Sequence, residues 1–197
     1  MPSNLKVDNI INSSGTNLLI NGYPRQPGQI IEYLSSPCDG SSVTVGSGTY
    51  TMGNVTGVQT LNQTSTDITG SSISYTPPAG ATRVKYMFQY NHQWSGGTHC
   101  ISHHRFFFDG TEVTLARHNR SSVYPEGRYT FEWVIAIGGT TDTTRGRIAT
   151  WTTAKVMKMQ ARQYAAGNPM NLHGTTYWDG AGGTQLGIPV LSIMAIA

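Results

Sequence analysis

Aromatic residues are spread so unevenly along this 197-residue chain that only part of it can build a core of its own. Every tryptophan, phenylalanine and histidine lies between Phe88 and Trp178, whereas residues 1–70 hold six charged side chains and three aromatics, Tyr23, Tyr33 and Tyr50. Large apolar side chains supply most of the burial that offsets chain entropy. The rear is therefore expected to fold by itself and the front to lean on a partner.

Charged residues make up 12% of the chain, against about a quarter in an ordinary domain. With 23 glycines and few strong helix formers, the composition predicts an all-β protein whose surface is Ser, Thr, Asn, Gln and Gly. The net charge of +3 comes from scattered side chains, with Arg117, Arg120 and Arg128 the nearest approach to a cluster. Nucleic-acid binding needs positive charge gathered on one face, so no nucleic-acid partner is expected. No basic-then-apolar leader and no bilayer-length apolar run occurs, which predicts synthesis in the cytoplasm without a signal peptide and no membrane insertion.

Three segments follow from the strand and turn signals. In residues 1–34, Leu5 to Ile11 and Asn17 to Ile20 read as short strands around a turn, too small to be stable alone. Residues 35–57, rich in Ser and Gly, read as an extended linker. From 58 to 197 come about eight strand-like runs. The clearest is Thr82 to Tyr90, where Val84, Tyr86 and Phe88 share one face. His99 to Phe108, the turn Asp109-Gly110 and Thr111 to His118 read as a hairpin. Ile148 to Tyr164 contains good helix formers, but Met157, Met159 and Ala161 recur at every second position and favour a strand. The apolar stretch Val190 to Ile196 is expected inside a sheet, since a free apolar edge invites aggregation. This many strands in a segment of that length predicts a sandwich or jelly roll.

The run Ile73-Ser74-Tyr75-Thr76-Pro77-Pro78-Ala79-Gly80-Ala81-Thr82-Arg83-Val84-Lys85-Tyr86, followed by Gln163-Tyr164, Leu172-His173 and Trp178-Asp179-Gly180, resembles the jelly-roll heads of bacteriophage fibre proteins. Similar jelly rolls occur in trimeric heads of the complement C1q and tumour necrosis factor type. The leader Leu5-Lys6-Val7-Asp8-Asn9-Ile10-Ile11-Asn12-Ser13-Ser14-Gly15-Thr16 resembles the virion-attachment segments of tail and head fibres. The resemblance implies a homotrimeric virion protein, docked to other virion proteins through Leu5, Val7, Ile10, Ile11, Leu18, Leu19 and Ile20, with its head facing a host surface. No heptad run is present, which favours a short fibre or a decoration over a long shaft.

Enzymatic chemistry finds little support. On a strand, His99 and His103 point one way and Cys100 and His104 the other, so this segment presents no tetrahedral metal set; no metal and no cofactor are expected. His99 or His103 from three copies could still meet on a trimer axis. The carboxylates Asp109, Glu112 and Glu132 are not spaced as an acid and base pair, and a polysaccharide-degrading enzyme is the least favoured reading. Binding chemistry is better supplied. Trp94 and the Tyr177-Trp178-Asp179 run are expected on loops, where rings beside polar groups suit the faces and hydroxyls of a host-surface glycan. A lectin-like carbohydrate-binding module is thus the alternative to a virion structural protein.

Overall fold

In the computed structural model, the described residues are 19–20, 23–24, 26–96, 99–123, 126–176 and 183–197. The main strands in chain order are β1 (Ile30–Pro37), β2 (Ser42–Val45), β3 (Gly48–Thr51), β4 (Ile73–Tyr75), β5 (Arg83–Trp94), β6 (Cys100–Phe108), β7 (His118–Ser122), β8 (Gly127–Ile137), β9 (Lys155–Gln163), β10 (Met170–Leu172) and β11 (Val190–Ile196). The helical content among the described residues is two short 3-10 turns, Thr114–Ala116 and Thr143–Arg145. No helix among them is long and apolar enough to cross a membrane.

The long strands form two sheets. The first runs β1–β11–β5–β8, all antiparallel, with β10 taking over beside β5 where β11 ends. The second runs β4–β9–β6–β7. Most successive strands cross between the sheets, β6–β7 and β10–β11 excepted, and β11 returns to lie between β1 and β5. This is the strand order of two interlocked Greek keys, a jelly-roll sandwich.

Period-two patterning decides which side chains enter the space between the sheets. On β5, Val84, Tyr86, Phe88 and Tyr90 are buried, and they face Phe106, Phe108, Met157, Met159 and Ala161 from the opposite sheet. Leu191, Ile193 and Ala195 of β11 complete the filling. The Met157, Met159 and Ala161 alternation settles the ambiguous segment as strand β9. The expected 111–118 arm of the hairpin is broken. The turn itself forms, with both Asp109 and Gly110 at positive φ, but only Thr111–Glu112 pairs back on β6 before the 3-10 turn intervenes.

Residues 35–57 are not a linker. β1 continues to Pro37, Cys38, Met52 and Val55 are buried in the main core, and β2 and β3 form a hairpin against it. Isolated apolar side chains, unremarkable in sequence, are collected by tertiary contact. The hairpin is fastened by Glu32, which is 9% exposed. The Tyr75 hydroxyl and the Ser47 hydroxyl each donate to Glu32 Oε1 at 2.6 Å, and the Ser47 N–H donates to Oε2 at 2.8 Å. Residues 30–34, expected in the attachment segment, likewise belong to the sandwich through β1. Of the expected docking residues, Leu19 and Ile20 pair with Tyr23–Pro24 as a two-residue strand. Leu5, Val7, Ile10, Ile11 and Leu18 lie outside the described residues.

Candidate functional site

The densest grouping of titratable side chains lies at the end of the sandwich where β5, β6, β7 and β8 meet. β5 carries His92 inward, β6 carries His104 inward, and the register His104↔His118 brings β7 alongside. The three imidazoles stack with Phe131 in a column: His92 on His104 (5.2 Å, 13°), His104 on His118 (4.8 Å, 10°) and His118 on Phe131 (5.3 Å, 15°). Tyr90 and Tyr129 flank the column, and the Arg120 guanidinium sits 3.8 Å from the Tyr129 ring centroid.

Hydrogen bonds fix the column. His104 is held at Nδ1 by the Tyr90 hydroxyl at 3.0 Å and at Nε2 by the Ser102 hydroxyl at 2.8 Å. His118 Nδ1–H donates to the Ala116 carbonyl at 3.2 Å. His92 Nε2 and His118 Nε2 are buried without a hydrogen-bond partner. Burial disfavours the charged imidazolium, so it pushes His92 down to about 3 and His104 well below the usual histidine range; neighbouring Arg120 and the other rings act in the same direction. His118 is also lowered by burial, and His173, packed edge-on to Phe88 and Tyr90, is pushed down to about 4.

Parallel rings direct their lone pairs side by side rather than toward a common point, so the column is no metal centre. No group of three or more His, Cys, Asp or Glu among the described residues is placed to hold a metal. His103 points outward, accepting at Nδ1 from the Arg162 guanidinium at 3.2 Å, and His99 is exposed.

The three carboxylates weighed as acid or base are separated and each is tied to a cation. Asp109 accepts from Lys155 at 2.6 Å, Glu112 from Arg117 at 2.6 Å, and Glu132 pairs with Lys85 at 2.6 Å. Cys38 and Cys100 are free and buried, and burial pushes the Cys38 thiol up to about 12, leaving it unreactive at neutral pH.

Trp94 is not on a loop. It ends β5, pairs with Met170, packs partly buried against the core and donates its backbone N–H to Glu126 Oε1 at 3.2 Å. Tyr177, Trp178 and Asp179 lie outside the described residues. Of the other tryptophans among the described residues, Trp151 is buried and Trp133 is half-buried, its Nε1–H donating to the Arg145 carbonyl at 3.2 Å. The three arginines do not form one cluster: Arg117 is engaged by Glu112, while Arg120, over the Tyr129 ring, and Arg128 of β8 line a small pocket together with Glu126.

The outer faces of the two sheets differ. On the first sheet the register places Tyr33, Met194, Lys85 and Val134 in one row and Ser35, Ser192, Met87 and Glu132 in the next. Tyr33 is 51% exposed and Val134 42%. The charges of this stretch are spent on one pair, Lys85 with Glu132, and Ser35 and Ser192 bond to each other at 2.7 Å. The second sheet shows His103, Arg105, Lys158, Gln160 and Arg162 outward, with Asp67 receiving bonds from Lys158 and Gln160.

No family model and no curated protein matches the chain. Among solved structures, that of the infectious bursal disease virus Gx strain matches with a TM-score of 0.35 and 10% identity, covering 96% of this chain and 45% of that one. The Gt strain structure matches with a TM-score of 0.26 and 14% identity, covering 80% and 47%. The VP2 subviral particle of the same virus matches with a TM-score of 0.24 and 13% identity, covering 80% and 43%. The chain thus spans less than half the length of the chains it matches. Overlap at this level falls short of a shared fold, and the jelly-roll assignment rests on this chain's own strand order. The bacteriophage-fibre resemblance is corrected: the structures that match are of infectious bursal disease virus, not of phage tail or head fibres.

Proposed function

We propose that this chain is a non-enzymatic structural protein of a virus particle and that it works by packing against copies of itself, as a trimer, through the outer face of the first sheet. The observation that carries the reading is the inequality of the two outer faces. One carries His103, Arg105, Lys158, Gln160 and Arg162 with Ile101, Phe107 and Val156 among them, and the other is a flat field of Tyr33, Met87, Val134, Val190, Met194 and Ile196, crossed by the Lys85–Glu132 ion pair and edged by Arg83. Contiguous apolar surface of that kind marks an interaction site. A flat footprint four strands wide and seven residues long is about 450 Å², against about 800 Å² per partner for a stable interface. Ile30, in register with Ile196 at one end of this field, is exposed, and so is Ile188, two residues ahead of β11. The segment ahead of Ile30 is assigned to contacts with other particle proteins.

Light scattering on the purified chain tests the proposal. A mass three times 21.4 kDa is expected, falling to 21.4 kDa for Met194→Lys with the fold retained. A wild-type monomer at the highest soluble concentration would refute it. Removing residues 1–29 is expected to leave a correspondingly lighter chain that is still folded and trimeric while abolishing incorporation into particles.

A further inference from the structure

β6 changes partner partway along its length. Its first half pairs with β7 from Cys100↔Ser122 to His104↔His118, and its last two residues pair with Thr111–Glu112. Between these, after a last backbone bond from Val113 N–H to the Phe106 carbonyl at 2.9 Å, the 3-10 turn Thr114–Ala116 carries the neighbouring chain away from Arg105. The parting leaves a notch of about 510 Å³, lined by His103, His104, Arg105, Arg117, His118 and Asn119.

The lining has a definite chemistry. Two guanidinium groups share one carboxylate: Glu112 takes a two-pronged bond from Arg117 at 2.6 and 3.0 Å, while Arg105 stands 3.7 Å away. Arg117 is thereby committed, and Arg105, with 40% of its side chain exposed, keeps donors free and leaves the notch with surplus positive charge. Arg162 donates to His103 Nδ1, which puts the ring proton of neutral His103 on Nε2. Asn119 is exposed beside it in register, bringing an amide that both donates and accepts. The lining offers one anion contact and several hydrogen-bonding groups, with no large apolar side chain; the faces of His104 and His118 are taken up by the ring column.

We propose that this notch binds an acidic saccharide, with Arg105 taking the carboxylate or sulfate and His103 and Asn119 taking ring hydroxyls. The volume decides between a bare ion and a sugar, since it lies in the range of pockets that enclose a small organic molecule rather than that of a single oxyanion. The polar lining excludes a hydrophobic ligand. The notch opens on the second sheet, so it stays accessible when the first sheet is covered, and it does not rest on the self-association proposed above.

The test is titration calorimetry on the full chain with four probes: sialyllactose, a sulfated heparin disaccharide, neutral lactose and inorganic sulfate. One of the two acidic saccharides is expected to bind, and which one tells carboxylate from sulfate. Arg105→Gln, on an exposed strand face, is expected to weaken binding at least tenfold without changing the oligomeric mass or the thermal midpoint. Lactose binding as tightly as sialyllactose would overturn the proposal, as would inorganic sulfate binding as tightly as the disaccharide, acidic saccharides that do not bind, or an unchanged affinity in Arg105→Gln.

Discussion

Acidification is expected to weaken this fold well before its carboxylates titrate. In the unfolded chain a histidine has a pKa of about 6.5. In the folded chain burial holds His92 at about 3 and His173 at about 4. A group whose folded pKa is depressed contributes stability above its unfolded value, and that contribution drains away as the pH falls below about 6.5 toward the folded value. At pH 5 the unfolded state has bound nearly one extra proton at each site, which costs about 2 kcal/mol per histidine, or about 4 kcal/mol for the pair. His104 and His118 shift in the same direction and add to the loss. The charges acting on His92 are those of Arg120, His118 and His173, so no neighbour relieves it. The depressed carboxylates Asp39, Asp67, Glu112 and Asp142 lose their contributions mainly below about pH 4.5, beneath that window. Urea denaturation at pH 7.5 and pH 5.0 measures the effect. Conversion of His92 to Asn should remove about 2 kcal/mol of the difference while lowering stability at both values. Equal stability at the two pH values, or a His92 imidazole titrating near 6.5 in the native protein by NMR, would refute the reasoning.

Three further outcomes follow from the packing. Glu32→Ala removes the acceptor of the Tyr75 hydroxyl and of both Ser47 donors, and should cost about 3 kcal/mol in urea denaturation, with the β2–β3 hairpin losing amide-exchange protection first. Gly70→Ala should destabilise by more than about 2 kcal/mol, because φ is +82° and the added Cβ would lie 2.6 Å from Val55 Cγ2 and 3.0 Å from Cys38 Cβ. Leu191→Ala, at a fully buried position of β11, should cost about 3 kcal/mol and leave the urea slope unchanged.

The parts of the fold legible in the sequence are those whose period is set by one strand. Val84, Tyr86 and Phe88 declare β5, and Met157, Met159 and Ala161 declare β9 against their helix propensity. The 35–57 segment was illegible because Cys38, Met52 and Val55 follow no period; their burial comes from strands far along the chain. The imidazole column was hidden for a related reason. His92, His104 and His118 come from three strands, and only the register of those strands stacks them. The notch was further still from view, since it arises from a break in pairing that the hairpin signal at Asp109-Gly110 conceals.

The position of β11 governs when this protein can become itself. Ser35 and Ser192, which bond across β1 and β11, are 157 residues apart in the chain. At about 5–20 residues per second of synthesis, β1 waits roughly 8–30 s for the strand that seats it beside β5. Until then the inner face of β5 lacks part of its cover, and Val190, Met194 and Ile196 have not joined the outer face proposed for self-association. Closing the sheet and creating that face are therefore one event. A nascent copy without β11 has no finished outer face there, so the self-association proposed above would wait for that strand.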